Sequence, residues 1–376
     1  MRILLAAEAF YPAFDATTTT LKATLDRLVD LGHDVRVVAP GPGLSSYRGC
    51  SVERVRALEP TGPQVRAAIE AFAPDLVQAH SPRQIGRKAL KFARRAGVAT
   101  VAVEQSPVLD LAADYWRAKI VQRADRVLVT SRWMVERAGE LGVEARLWEP
   151  GVDSLAFNST LRDPWLHRSW SKAASKGGPR VVVGYVGDLH RCAGVRRLAR
   201  LAGVPGIRLV VIGAGPEREW LARHLPDDTW FTGPLGTSDL AVAMSTLDVL
   251  VHPGEQETDA HRLREAAASG VPVVAARRGG AREAVAHLET GVLFDPSAAH
   301  DFARAVSSVA ADGQRRLLGA AGRERSLRRT WADAVDELIA SHYPSGAREE
   351  VGYDRATTRL LAPSSSVTIA ERGHRR

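Results

Sequence analysis

Short apolar runs alternate with amphipathic stretches along most of the chain. The runs at Met1–Ala7, Asp34–Ala39, Leu76–Ala79 and Thr100–Val103 read as strands, and Thr17–Leu31, Gln64–Phe72 and Arg83–Ala96 read as the helices between them. Near-continuous apolar strands separated by helices predict a parallel sheet covered on both faces. Leu128–Thr130 and Ala145–Trp148 extend this first unit, which is expected to span residues 1–160. The texture then changes: residues 161–179 contain Trp165, Trp170, several Ser and Lys, and the turn Gly177–Pro179, and are expected to be a linker. Strands resume at Val181–Val186, Leu209–Ile212, Val249–Val251 and Val271–Ala275, predicting a second Rossmann-like domain over residues 180–330. A helix over residues 331–342 follows. From residue 343 to 376 the periodicity is lost and Ser, Thr, Arg and Gly dominate, so a disordered tail is expected there. The fold class is α/β, with two doubly wound domains whose carboxyl-end crevices face an interdomain cleft.

Composition narrows the class. At 376 residues with 45% hydrophobic and 25% charged positions, the chain has the proportions of a two-domain globular protein rather than a disordered or fibrous one. No apolar run reaches the ~18 residues that span a bilayer, and the apolar stretch in MRILLAAEAF is too short for a secretory signal, so a cytoplasmic protein is expected. Cys50 and Cys192 lack metal-ligand spacing and read as ordinary thiols, with no metal expected. The net charge of +8 is spread, with 21 basic against 18 acidic residues in the first 160, which is not the footprint of a nucleic-acid binder. One run stands apart: Arg83, Arg87, Lys88, Lys91, Arg94 and Arg95 occur with no acid between them. It reads either as the solvated face of an outer helix or as a docking face for anionic lipid headgroups.

Candidate chemistry concentrates in the second half. Gly184–Leu189 follows the first strand of that half, Gly213–Pro216 follows the second, and Gly279-Gly280 precedes a helix expected near Arg282. Each could present backbone N–H groups to a phosphate, although glycine turns after strands are common in any α/β protein. Glu257 and Glu265 are eight residues apart. With a helix beginning near Asp259, both carboxylates would face one crevice and could accept hydrogen bonds from vicinal sugar hydroxyls. The alternative is a helix with two solvent-facing glutamates.

GYVGDL, LVVIGAGPE, FTG, DVLVHPGEQET, EAAASGVPVVA, RRGGAREAV and TGVLFDP, in that order, resemble the carboxyl-terminal domain of the retaining family 4 glycosyltransferases of GT-B fold. GHDVRVVAP, PDLVQAHSP, ADRVLVTS and WEPGVDSLAF resemble the amino-terminal domain, and TWADAVDELIASHY resembles the final helix that returns to brace it. The resemblance covers residues 1–342 and is strongest to actinobacterial nucleotide-sugar-dependent α-mannosyltransferases acting on lipid acceptors. It implies transfer of a hexose, mannose above all, from a nucleotide diphosphate sugar to a lipid or small-molecule acceptor with retained anomeric configuration. The donor is a substrate, so no cofactor is expected. With the basic run as a docking face, the cytoplasmic protein would sit peripherally on the inner face of the membrane.

Carried over by position, the resemblance makes Glu265 the ligand of the donor ribose and Glu257 that of the donor hexose and the catalytic position. Gly187, Thr258, Asp259, Gly279 and Gly280 would lie around the donor, and Thr232 and Gly233 along its base. The chain departs from the pattern where the resemblance requires an Arg and a Lys on the donor diphosphate: it carries Asp188 and Ala193. ETD stands where the pattern has ETF, Asp15–Thr20 replaces a glycine-bearing loop, and Val103–Pro107 lacks the histidine of the acceptor side, as related branches do. Arg191, His190, Arg196 and His261 are the candidate substitutes for the missing cations. Two readings follow: an active transferase with substituted phosphate ligands, or a catalytically weakened glycosyltransferase-like protein that binds or regulates a partner. A GT-B epimerase shares the fold but not the amino-terminal motifs.

Overall fold

In the computed structural model of the chain, residues 1–12, 16–172 and 178–344 are described. The first sheet is built from β1 (Arg2–Ala7), β2 (Asp34–Pro40), β3 (Ser46–Tyr47), β4 (Cys50–Val55), β5 (Leu76–His80), β6 (Ala99–Glu104), β7 (Arg126–Val129) and β8 (Arg146–Leu147). Its strand order is β3-β4-β2-β1-β5-β6-β7-β8, parallel throughout except for the β3–β4 hairpin. Along β1, Leu4 and Ala6 pack on α2 (Thr61–Phe72) and α3 (Ile85–Arg95), while Ile3 and Leu5 pack on α1 (Ala16–Asp30). Both faces of the strand are therefore buried, which is why its sequence is apolar without alternation. Shorter helices α4 (Ala113–Lys119) and α5 (Arg132–Glu140) complete this layer.

The segment expected as a linker is in part a packed helix, α6 (Pro164–Ser171). Asp163 accepts the N–H groups of Trp165 and Leu166 at 2.7 and 3.1 Å, and Pro164 occupies the first turn, where its missing N–H has no partner to lose. Trp170 is buried with Phe157 in the core of the second domain. Arg162 and His167 both bind Asp248, at 2.7 and 2.9 Å. Burial opposes ionisation of Asp248, but the bonds from His167 and the Val182 N–H and the Arg162 charge outweigh it and lower its pKa. The second domain thus recruits residues back to about Val152.

The second sheet comprises β9 (Val181–Val186), β10 (Ile207–Ile212), β11 (Trp230–Gly233), β12 (Val249–His252), β13 (Val273–Ala276) and β14 (Gly291–Phe294), in the order β11-β10-β9-β12-β13-β14. Among the helices covering it are α7 (Arg218–His224), α8 (Thr237–Thr246), α9 (His261–Ala268), α10 (Ala281–Ala284), α11 (Asp301–Ala311) and α12 (Arg315–Ser326). The chain then crosses back as α13 (Trp331–Glu337), begun by a reciprocal capping box between Thr330 and Asp333. Ala334 and Leu338 enter the core of the first domain, and Arg27 holds Asp336 through two bonds of 2.7 and 2.6 Å. Tyr343, expected at the start of a disordered tail, is instead buried, and its hydroxyl donates to Gln78 at 2.6 Å. The rest of that expectation, from residue 345 on, lies outside the described residues. Among the described residues no helix is long and apolar enough to cross a membrane.

Candidate active site

In the second sheet the order reverses at β9, which lies between β10 and β12. Connections leaving β9 and β12 depart to opposite faces, and the crevice left at their carboxyl ends is where open α/β sheets bind ligands. Residues 187–193 and 253–260 border it.

Glu257 sits in the second of these loops, and it is not a solvent-facing glutamate. Its Oε1 accepts the N–H groups of Thr258, Asp259 and Ala260 at 3.0, 3.2 and 2.8 Å, and its Oε2 lies 2.9 Å from His252 Nε2. Burial opposes the charge, but the His252 contact and the Ala260 N–H overcome it and hold the carboxyl well below its ordinary pKa. The same bonds hold Ala260 in the left-handed region at φ 52°, a conformation costing an alanine about 1 kcal/mol or more. Helix α9 consequently starts at His261, two residues later than the sequence suggests. The glycine pair closes on this loop from β13: the Gly280 N–H donates to the Glu257 carbonyl at 2.7 Å. Gly279 has φ 56°, and a Cβ there would lie 2.7 Å from the Glu257 carbonyl oxygen and 2.8 Å from that of Glu255. Only glycine fits. Glu265, one face of α9 later, is 6% exposed and accepts a 2.6 Å bond from Arg262.

Across the crevice, Gly187 follows β9 and Asp188 is exposed beyond it. The Tyr185 hydroxyl donates to the Asp188 carbonyl at 2.9 Å; burial and the Asp188 charge raise its pKa. Ala193 closes a single 3₁₀ turn with Arg191. The Gly213–Pro216 loop packs onto this segment: the Leu189 N–H donates to the Ala214 carbonyl at 2.8 Å and the Glu217 N–H to Leu189 at 2.9 Å. Those backbone groups serve loop-to-loop packing rather than a phosphate. Thr232 and Gly233 end β11 beside it, the Gly233 carbonyl accepting the Gly213 N–H at 2.9 Å. Of the candidate replacement cations, Arg191 and His190 are exposed on the turn. Arg196 is held by Glu217 at 2.7 and 3.2 Å and lies over the Trp220 ring. Two arginines that the spacing of motifs did not mark also reach the crevice: Arg197, which donates to the Pro253 carbonyl at 2.9 Å and pairs with Glu255, and Arg262.

Comparison with known proteins decides the family. Residues 17–154 match the model described as Glycosyltransferase Family 4, and residues 168–325 that described as Glycosyl transferases group 1. The chain is 36% identical to a GDP-mannose-dependent alpha-mannosyltransferase of Mycolicibacterium smegmatis, over 91% of this chain and 97% of that protein. The chain belongs to the family 4 glycosyltransferases. A Mycobacterium tuberculosis protein of the same description is 34% identical over 91% of this chain and 96% of its own length. Sucrose-phosphate synthase from Thermosynechococcus elongatus superposes with a TM-score of 0.73 at 21% identity, covering 90% of this chain and 97% of that one, which places the fold as GT-B.

For a family 4 glycosyltransferase the crevice is walled on its far side by the first domain. Thr258, Asp259 and His261 turn toward that domain, so their side chains are less available to a donor than their sequence positions suggest. The Thr258 hydroxyl donates to the Gln105 carbonyl at 2.7 Å, and the Thr258 carbonyl accepts the Thr130 hydroxyl at 3.1 Å. His261 Nε2 lies 3.0 Å from the Thr20 hydroxyl and 3.2 Å from Asp259 Oδ2. His261, offered as a cation that could swing toward the cleft, is buried in this seam, and burial lowers its pKa to about 4. Nearby, Glu283 accepts the Arg132 and Trp133 N–H groups at the start of α5, both at 2.8 Å.

Asp259 is the group in this seam whose titration should be visible. Burial and the neighbouring Glu257 charge raise its pKa, so the fold favours its protonated form. Its contribution to stability is then present at acid pH and lost as pH rises above the ordinary carboxylate range. We expect Asp259→Asn to melt like the wild type near pH 4 and progressively higher than it between about pH 4 and 7. Thermal midpoints of the two proteins across that range provide the measurement, and a constant difference would contradict the assignment.

Proposed function

We propose that the chain transfers mannose from GDP-mannose to a lipid acceptor with retained configuration, working at an anionic membrane surface. The observation that supports this most is the relationship to GDP-mannose-dependent alpha-mannosyltransferases along 91% of the chain, combined with Glu257 and Glu265 flanking one switch-point crevice. Glu265 would accept the ribose hydroxyls and Glu257 Oε2 a hexose hydroxyl, Gly187 would border the donor, and Gly279 and Gly280 let the loop that carries Glu257 close against the end of β13. Fixed positive charge must meet the charge that develops on the leaving diphosphate. A membrane acceptor is favoured by the outer face of α3. There Lys91, Arg94, Arg95 and Arg123 surround a shallow depression of about 400 Å³. Arg95 above all, with Lys88, Arg123 and Arg87, lowers the pKa of Lys91, the mark of unneutralised crowding that an anionic headgroup would relieve.

Calorimetric titration with GDP-mannose and UDP-glucose, followed by transfer to lipid extract and analysis of the anomeric linkage, tests the reading. We expect selective binding of GDP-mannose and an α-linked product; no binding below about millimolar would overturn it. Flotation with anionic vesicles should be lost when Lys91, Arg94 and Arg95 are changed to Glu, and unchanged flotation would return that face to a solvated one. Binding without turnover would instead favour the catalytically weakened protein, a reading that the exposed Asp188 supports.

A further inference from the structure

The diphosphate-binding cations that are absent from residues 187–193 have to be sought elsewhere in the crevice. Arg191 and His190 stand exposed on the turn, Arg196 is committed to Glu217 and Trp220, and His261 is buried and neutral. Arg197 is fastened to the Pro253 carbonyl and to Glu255, so it braces the loop that carries Glu257. Arg262 differs from all of these. It is the second residue of α9, at the helix end whose free N–H groups favour anions. Its side chain is 28% exposed while that of its partner Glu265 is 8% exposed, so the arginine keeps some surface open beside a buried carboxylate. It also lies within electrostatic reach of Asp188 and of the Tyr185 phenol, whose hydroxyl is bonded to the Asp188 backbone.

Asp188 on the β9 loop and Arg262 on α9 are therefore opposite charges that act on one another while Arg262 is bonded to Glu265. We infer that Arg262 grips the donor diphosphate in place of the absent loop cations, exchanging its ion pair with Glu265 for the phosphates and freeing Glu265 for the ribose. The inference rests on the nucleotide-sugar reading above. In the structure as it stands, the 2.6 Å Arg262–Glu265 bond satisfies both groups. An arriving nucleoside diphosphate offers each a replacement: phosphate oxygens to the guanidinium and vicinal hydroxyls to the carboxylate. No buried charge is left unpaired during the exchange, which is the condition for such a pair to open without a large penalty. Asp188, facing the same phosphates, would weaken binding by like-charge repulsion.

The test compares GDP with guanosine, which share the base and ribose but differ in the phosphates, by titration calorimetry on the full chain. For Arg262→Gln we expect GDP affinity to fall about 30-fold or more, with guanosine affinity within about 3-fold of wild type. Arg262→Lys should recover part of the loss, since a point charge still meets the phosphates. Asp188→Asn should tighten GDP a few-fold and leave guanosine unchanged. A merely structural role would weaken both ligands together in Arg262→Gln, and that result, or no change in either, overturns the inference while leaving the functional reading intact. Failure of the wild type to bind any nucleoside diphosphate overturns both. Thermal midpoints confirm that each variant is folded.

Discussion

Glu257→Gln should abolish most transfer while leaving the fold in place. The amide keeps one carbonyl oxygen for the Thr258, Asp259 and Ala260 N–H groups and an NH₂ for His252, so the loop geometry survives and only the charge is removed. With GDP-mannose as donor we expect kcat to drop by about 100- to 1000-fold, the range seen when one fixed electrostatic contact to a developing charge is lost. GDP affinity should stay within a few-fold of wild type, because the nucleotide is held elsewhere in the crevice. Glu257→Ala removes the oxygen as well. Three backbone N–H groups then lose a charged acceptor, each such bond being worth about 1.5–3 kcal/mol before water replaces part of it. The strained φ of Ala260 loses its support at the same time. The alanine variant should therefore lose the same activity and also melt several degrees lower. Full transfer by Glu257→Gln would reduce Glu257 to a clamp for the loop and remove it from the donor site.

That double role shows where sequence reading ends. β1 was legible because both faces are buried and the residues after Arg2 are apolar without interruption, and β5 from Leu76, Val77 and Ala79 although it also buries Gln78 and His80. β4 was not, since its burial alternates and it lies near the sheet edge; β11 was missed because it ends in Thr-Gly and exposes Trp230. α6 was hidden inside a Ser- and Lys-rich stretch, although Asp163-Pro164 carries a helix-start signal that, given more weight, would have found it. The spacing of Glu257 and Glu265 and the Gly279-Gly280 pair pointed to the crevice at the carboxyl end of the second sheet, beside which the structure places Glu257 and the glycine pair. Their partners were local, since His252 lies five residues before Glu257 and Arg262 three before Glu265 on α9; the approach of the Asp188 loop could not be read, because it depends on the order of strands in the second sheet. The charge census was informative in the same limited way: it showed cations missing from one loop, while the arginine proposed in their place sits 74 residues after Asp188 on a different element.

Trp148→Ala should cost the protein more stability than any other single change considered, and should also separate its domains thermodynamically. Trp148 follows β8, is fully buried, and packs with Ala334, Leu338 and Tyr343, residues that reach the first domain only after the chain has traversed the second. Its indole N–H donates to the Ala334 carbonyl at 2.8 Å, tying α13 to the first sheet. Truncating a buried tryptophan costs about 3–5 kcal/mol, and here the lost indole bond adds to the cavity, although the Ala334 carbonyl keeps the bond from the Leu338 N–H. Trp170 offers the control: it is equally buried, but in the core of the second domain, and its indole nitrogen has no partner. Trp170→Ala should destabilise the second domain without loosening α13. By scanning calorimetry we expect Trp148→Ala to split the unfolding of the wild type into two resolved transitions, the lower one belonging to the first domain. A lowering of about 10 °C is the scale to look for, given roughly 2–4 °C per kcal/mol for domains of this size. A single transition shifted no further than that of Trp170→Ala would mean that α13 is held by Arg27–Asp336 and its other contacts, and that Trp148 fills space without bracing the crossover.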